Sequence, residues 1–371
     1  MAGALPAYGD GVSDDPGVAG DRGFLRGVLF RDKVELTDRL ELVEPGFGEV
    51  RVQIQAAGLC HSDVSVIDRT IPFPTPVVLG HEGAGTVTDV GPGVTTVVPG
   101  DRVVLTTLGN CGRCRKCEQG KPTECPETFG KLPQPFTLDG EKLFQFANTS
   151  VFAEATIVRE TQAIKVDERV PLTSAALIGC GVLTGTGAVF NRARVERGST
   201  VAVYGIGGIG LNVIQAARIA GATRIIAVDT NPGKEEVARE FGATEFVDPT
   251  AEGARRLKNI DYTFECVGHP AVIRNAIDAL AWGGTCVILG VPPLGTEAAF
   301  DVSGLYQNKS IMGCRYGASR PRNDIPVLVD LYLAGQLKLD ELVSRTYELE
   351  QFDEALADLH AGNLARGVFT L

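Results

Sequence analysis

Gly205-Ile206-Gly207-Gly208-Ile209-Gly210 fits the pattern G-x-G-x-x-G, and its setting constrains the fold more than any other stretch of the 371-residue chain. The apolar run 200–204 before it reads as a strand and 209–220 after it reads as a helix, which is the context that gives the pattern physical meaning. Gly205 allows the tight turn, Gly207 lets the backbone approach a pyrophosphate, and Gly210 lets the helix pack close to the sheet. Gly208 and Ile209 open the helix, whose N-terminus offers free N–H groups and positive potential. Asp229 ends the next strand, 19 residues after Gly210. A carboxylate there accepts hydrogen bonds from an adenosine ribose and repels a 2′-phosphate. Thr230-Asn231-Pro232 behind it supplies no Arg, so the pattern points to NAD.

Strands and helices alternate from there on. Strands are predicted over 200–204, 224–229, 245–247, 261–266, 285–289 and 310–314, with helices over 209–220, 234–241 and 271–280. Six strands in that rhythm predict an α/β, doubly wound parallel sheet covered on both faces. The N-terminal half has another texture. Residues 50–55 (Val-Arg-Val-Gln-Ile-Gln) alternate with period two, 83–90, 101–105 and 152–158 read as further strands, and Gly91-Pro92-Gly93 and Pro99-Gly100 as turns. Two more helices (325–334, 352–360) and a strand (367–371) close the chain. The expected division is a β-rich unit of residues 26–181 returning at 316–371, around a nucleotide unit of 182–315. Residues 1–25, rich in Gly, Asp, Ala and Pro without apolar period, read as a disordered tail or an added extension.

The net charge of −11 argues against a general nucleic-acid binder, which carries a basic face, and aromatics at 6% are too few for stacking platforms. No run of 18 apolar residues and no basic-then-apolar leader is read, so neither membrane span nor export is expected. Nine cysteines, an odd number in a large chain, fit a reducing cytoplasm better than a disulfide framework. Cys111, Cys114, Cys117 and Cys125 form C-x2-C-x2-C-x7-C. Four thiolates in one loop close a tetrahedral shell around zinc and leave no position for substrate, so a structural site is expected; iron–sulfur ligation uses similar spacings.

Three further segments are not connected by spacing: Gly58-Leu59-Cys60-His61-Ser62-Asp63, Gly80-His81-Glu82-Gly83-Ala84-Gly85 and Ile178-Gly179-Cys180-Gly181. With the four-cysteine loop and the loop 205–210, in this order, they resemble the zinc-dependent alcohol dehydrogenases of the medium-chain dehydrogenase/reductase superfamily over about residues 27–371. The resemblance implies a GroES-like catalytic unit beside the Rossmann unit, and two zinc ions per subunit. It places Cys60, His81 and Cys180 on a catalytic zinc, Glu82 close behind the metal, and Asp63 on the ring of the His ligand.

Ser62 matches the hydroxyl that receives the alcohol proton. Where many relatives continue the relay through a His three residues on, this chain has Ser65, so the relay ends at solvent or passes through Ser65 and water. His61 stands where several relatives have a pyrophosphate-binding Arg. Arg366 matches another such Arg, Lys234 a Lys near the adenosine ribose, and Thr184 a residue packing on the nicotinamide. Val291 is expected between cofactor and substrate. Ile71, Thr107, Phe146 and Ala147 match substrate-pocket positions, with Thr107 in place of a bulky aromatic, which leaves room for a branched or cyclic alcohol. The implied activity is hydride transfer between a small-molecule alcohol and NAD, giving an aldehyde or ketone. A thiol-dependent formaldehyde dehydrogenase of the same family is the near alternative, and a non-catalytic zinc- and nucleotide-binding protein the distant one. Family habit implies a homodimer, with a tetramer as its alternative.

Overall fold

The computed structural model describes residues 23–129, 133–252, 256–362 and 364–371. Residues 1–22, most of the expected tail, lie outside the described residues. Leu25, placed in that tail by sequence, already opens the first strand, because Leu29 and Phe30 further along it need a buried face and Leu25 pairs with Leu40.

In chain order the first unit contributes β1 (Leu25–Phe30), β2 (Val34–Leu42), β3 (Glu49–Leu59), β4 (Val77–Val78), β5 (Glu82–Val90), β6 (Arg102–Leu105), β7 (Phe136–Leu138), β8 (Glu141–Gln145), β9 (Ala155–Arg159) and β10 (Ala163–Lys165). The nucleotide sheet contributes β11 (Thr200–Tyr204), β12 (Arg224–Val228), β13 (Glu245–Val247), β14 (Ile260–Glu265), β15 (Leu280–Ile288) and β16 (Ser310–Gly313), and the chain returns with β17 (Val343–Glu348) and β18 (Arg366–Thr370).

β1, β2, β7, β8 and β4 close a small barrel. Beside it runs the order β10-β6-β5-β3-β18-β17, with β9 also on β3. β3 keeps period two while one face meets solvent: Val50, Val52 and Ile54 are buried, and Gln53 and Gln55 exposed. From Ala56 to Leu59 every residue is buried, because there the strand passes under a covering helix and delivers Cys60 to the interior. β18 pairs antiparallel with β3 at Gly58 and Leu59, so the late segment 366–370 lies beside the strand that carries the site. Phe152, Phe352 and Phe369 meet at centroid distances of 5.1–5.6 Å and pin this return into the core.

The six-stranded sheet has the order β13-β12-β11-β14-β15-β16 with all pairs parallel, the doubly wound arrangement expected from the alternation. Val201, Ala202 and Val203 of the central β11 are fully buried. The helix Gly208–Ala220 follows at once and ends on Gly221 at φ 91°, a left-handed cap that glycine adopts without strain.

The continuous helix Leu172–Ala193 is long and apolar enough to cross a membrane by length and mean hydropathy, although Thr, Ser, Gly and Asn interrupt its apolar run. It is mostly buried, as the core helix between the two sheets. Within it Ile178–Val182 and Ala188–Ala193 are π turns.

Candidate active site and metal centres

Cys60 leaves β3 and starts the short helix His61–Ile67. Its N–H donates to Asp63 Oδ2 at 3.2 Å, while Asp63 Oδ1 accepts the N–H of Gly80 at 3.1 Å and faces Nδ1 of His81 at 3.2 Å. One fully buried carboxylate therefore ties the Cys60 turn to the segment before β5 and turns the other ring nitrogen of His81 outward. Gly80 sits at φ +92°, and a Cβ there would come within 2.5 Å of the Phe152 backbone nitrogen, so the residue before His81 is restricted to glycine.

Cys180 reaches the same point from the π turn Ile178–Val182. Ligand atoms of Cys60, His81, Glu82 and Cys180 all lie within 4.8 Å of one another. The donor set suits zinc: two thiols, an imidazole and a carboxylate. The electrostatics ask for a cation. The hydrogen bond with Cys180 holds the Cys60 thiol well below its ordinary range, and the same bond with burial holds Cys180 well above it. Burial pushes the Glu82 carboxyl up to about 7 against the pull of Arg366. Arg366 Nε stands 3.3 Å from Glu82 Oε2, yet among the described residues neither carboxylate oxygen finds a hydrogen-bond partner. A buried carboxylate left in that state is costly unless a positive group completes its surroundings.

The four-cysteine loop is tighter still. Sγ atoms of Cys114 and Cys117 are 3.6 Å apart, Cys114 and Cys125 3.8 Å, and Cys111 and Cys125 3.7 Å. Four sulfurs at about 2.3 Å from one ion have edges of about 3.75 Å, so this tetrahedron matches zinc and is far too wide for disulfides. N–H groups of Cys111 and Cys114 and the Asn110 amide point at the sulfurs, as anionic thiolates require.

A cleft of about 570 Å3 joins the buried cluster to the glycine loop. Cys60, His61, Ser62, Ser65 and Ile71 line one end, with Ser62 Oγ 3.9 Å from the Cys60 sulfur. The loop 205–210 and Val291 form the middle, Asp229 and Lys234 the far end, and Arg366 a wall. Asp229 Oδ2 accepts the N–H of Ile206 at 2.8 Å and Lys234 Nζ at 3.1 Å, so the strand end braces the loop. The glycines divide their work. A Cβ at Gly210 would meet Gly205 O at 2.0 Å and one at Gly208 would meet Arg366 at 2.0 Å, whereas at Gly207 it would meet nothing within 4 Å. The open space lies where a pyrophosphate needs the backbone. A larger hollow of about 700 Å3 continues past Tyr204, but neither cysteine nor histidine lines it.

Of the buried cluster only Cys60 lines this cleft, and four of the cofactor and substrate candidates stand off it as well. Thr184 is buried in the core helix. Phe146 packs edge-on against His81 at 5.4 Å and Phe73 at 5.3 Å, Ala147 follows it at φ 50°, and the Thr107 N–H donates to the Tyr316 hydroxyl at 3.2 Å. Two residues escaped the sequence reading. Glu265, fully buried at the end of β14, accepts the N–H groups of Val267 and Gly268 and shapes the loop that lines the cleft. A charge ending an apolar strand just before a glycine was its available signal. Tyr316, which bonds both Thr107 and Gly179, carried none.

The alcohol dehydrogenase GroES-like domain model matches residues 46–168, and the zinc-binding dehydrogenase model matches residues 208–334. An S-(hydroxymethyl)glutathione dehydrogenase of Komagataella pastoris is 38% identical over 356 residues, covering 90% of this chain and 93% of the relative. The benzyl alcohol dehydrogenase structure from Acinetobacter calcoaceticus superposes with a TM-score of 0.86 at 33% identity, covering 94% of this chain and 99% of that one. An acetophenone reductase of Geotrichum candidum, solved with NAD, superposes at 0.80 with 26% identity over 95% and 99% of the two chains. With two family models spanning most of the fold and a relative matched along nearly its whole length, the chain belongs to the zinc-dependent alcohol dehydrogenases of the medium-chain dehydrogenase/reductase superfamily.

Proposed function

We propose that this chain oxidises an uncharged small-molecule alcohol to an aldehyde or ketone with NAD, or runs the reverse. The observation that carries the reading is the cluster of Cys60, His81, Glu82 and Cys180, which opens through Cys60, beside Ser62, onto a cleft lined also by the glycine loop and Asp229. Catalytic zinc belongs with Cys60, His81 and Cys180, with Glu82 behind. Bound there, it supplies Lewis-acid polarisation of the alcohol oxygen. NAD supplies the hydride acceptor, and Asp229 selects it over the 2′-phosphorylated form. The NAD complex of the acetophenone reductase supports this choice.

The chain's own residues do the rest. Ser62 Oγ takes the alcohol proton and passes it by water along Ser65 toward solvent. Asp63 keeps His81 aimed. Arg366 and His61 face the pyrophosphate, with His61 the weaker grip. Lys234 and Asp229 hold the adenosine ribose, and Val291 and Thr184 flank the nicotinamide. Ile71 bounds the substrate, with Thr107, Phe146 and Ala147 setting the shape behind it. Zinc in the loop of Cys111, Cys114, Cys117 and Cys125 is structural. Residues 26–181 with 316–371 act as the catalytic unit and 182–315 as the nucleotide unit, joined through the helix Leu172–Ala193. A homodimer in a reducing cytoplasm completes the reading. That none of the nine cysteines is in a disulfide supports the compartment, and the open edge of β16 with exposed Val302 and Tyr306 supports the dimer. Sedimentation at monomer mass would contradict the dimer.

The relatives named for S-(hydroxymethyl)glutathione favour a second reading. That adduct carries carboxylates. Among the described residues lining the cleft, Lys234 is held by Asp229 and Arg366 is paired with Glu82, while Ser62, Ser65 and Ile71 beside Cys60 carry no charge, which favours an uncharged substrate. The test is NADH formation, followed in the near ultraviolet, across primary, secondary, allylic and aromatic alcohols, with NADP and a zinc chelator as controls. Chelator-sensitive reduction of NAD by free alcohols is the expected result. Reduction only when formaldehyde and a thiol are supplied together would replace it by the second reading.

A further inference from the structure

We propose that Tyr316 is a positioning residue for the alcohol site: its hydroxyl clamps the Gly179 carbonyl to the Thr107 N–H, and so fixes the direction of the Cys180 thiol and the wall behind the substrate. The inference deepens the function proposed above and rests on it for the meaning of that wall.

The segment after β16 leaves the nucleotide sheet and runs back to the catalytic unit. Tyr316, Gly317 and Ala318 all lie at left-handed φ, 53°, 67° and 47°. Tyrosine and alanine avoid that region, so the path persists only because its surroundings over-determine it. They do. A Cβ on Gly317 would come within 2.3 Å of Leu183 O and 3.0 Å of Thr184 O, so this turn is pressed onto the helix that presents Cys180. Arg315 Nη1 donates to Thr123 O at 2.6 Å, in the four-cysteine loop. The turn is thereby held on both sides, and the phenol it projects has a fixed place.

That phenol donates to Gly179 O, the carbonyl one residue before Cys180, and accepts the Thr107 N–H at 3.2 Å. The two segments it joins already touch nearby. A Cβ on Gly179 would meet Leu105 O at 2.0 Å, two residues before Thr107. Gly179 also lies in a π turn, a wider and less regular stretch of helix than its α neighbours. A donor held from outside restrains such a turn where the helix's own bonds are least regular. The hydroxyl thus acts through Cys180 on one side and through Thr107 on the other without touching substrate itself.

Tyr316→Phe removes the clamp and keeps the ring. The expected results are a fall in kcat/KM of about tenfold, the effect of one buried hydrogen-bonded group, and a changed ratio of kcat/KM between a bulky and a small alcohol. The thiolate-to-cobalt absorption of the cobalt-loaded variant should also shift, and amide exchange should quicken at Thr107 but not over 103–105. A residue that only supported the fold would lower the melting temperature and move none of the last three. An unchanged alcohol ratio, cobalt spectrum and Thr107 exchange would overturn the proposal. If wild-type protein binds cobalt yet oxidises no alcohol, the functional reading falls, and the spectra and exchange still decide the clamp. If the variant is too unstable for kinetics, exchange in its folded fraction below the melting temperature decides it.

Discussion

The four sulfurs of the loop 111–125 come from fifteen consecutive residues, and three of those cysteines keep part of their surface in solvent. The ligand atoms of the other cluster come from a strand end, a strand start and a helix, spread over 120 residues between Cys60 and Cys180, and His81 and Glu82 are sealed in the core. In the loop the cysteines hold little but each other, and a bound ion is the natural centre of that small fold. In the buried cluster the protein has done the assembly beforehand, through Asp63, the packed glycines and β18. Metal loss should therefore act on structure at the first site and on chemistry at the second.

The largest expected effect breaks the buried cluster. Cys180→Ser should lower kcat on the order of a thousandfold, the worth of several kcal/mol of lost polarisation, and lower zinc by one ion per chain while the melting curve hardly moves. Unchanged zinc and rate would remove Cys180 from the metal. Ser62→Ala should cost about a hundredfold in kcat/KM with zinc content intact, as loss of a proton acceptor does; a rate near wild type would send the proton directly to water.

Cys114→Ser turns the comparison round. It should release the other zinc and speed proteolytic cleavage between residues 111 and 125 about tenfold, the effect of roughly 1.4 kcal/mol of local stability. Its rate loss should stay well below that of Cys180→Ser, and an equal loss would erase the contrast between the sites. The mildest change is His61→Arg. A fixed charge on the pyrophosphate should tighten NAD severalfold in equilibrium titration and slow NADH release in stopped flow. Unaltered affinity would place His61 off the cofactor.

What the sequence disclosed follows the same divide. Cysteines at fixed short spacing, and a glycine pattern between a strand and a helix, are local signals, and so were the six strands of the nucleotide sheet. No spacing rule connects Cys60, His81 and Cys180, and only the family resemblance brought them onto one list. The same resemblance put Thr107, Phe146 and Ala147 in the substrate pocket, whereas none of the three lines the main cleft. The barrel was hard to read because strands such as β2 expose most of their residues and carry no clean alternation. The helix Leu172–Ala193 was missed because it is apolar on nearly every side, so no amphipathic stripe announces it. Tyr316 and Glu265 act through backbone groups, which any sequence supplies, and leave no pattern behind.

The π turns of the core helix carry a consequence for inheritance. A π turn is one residue longer than the α turn it interrupts, and each residue turns an α-helix by about 100°. A deletion of one codon just before Cys180 would let the helix close into a regular ladder and swing the thiol around the axis, away from His81. The helix, its apolar burial and both sheets would survive. Descendants of such an event would still fold and still take up a nucleotide, and would have lost alcohol chemistry in a single step.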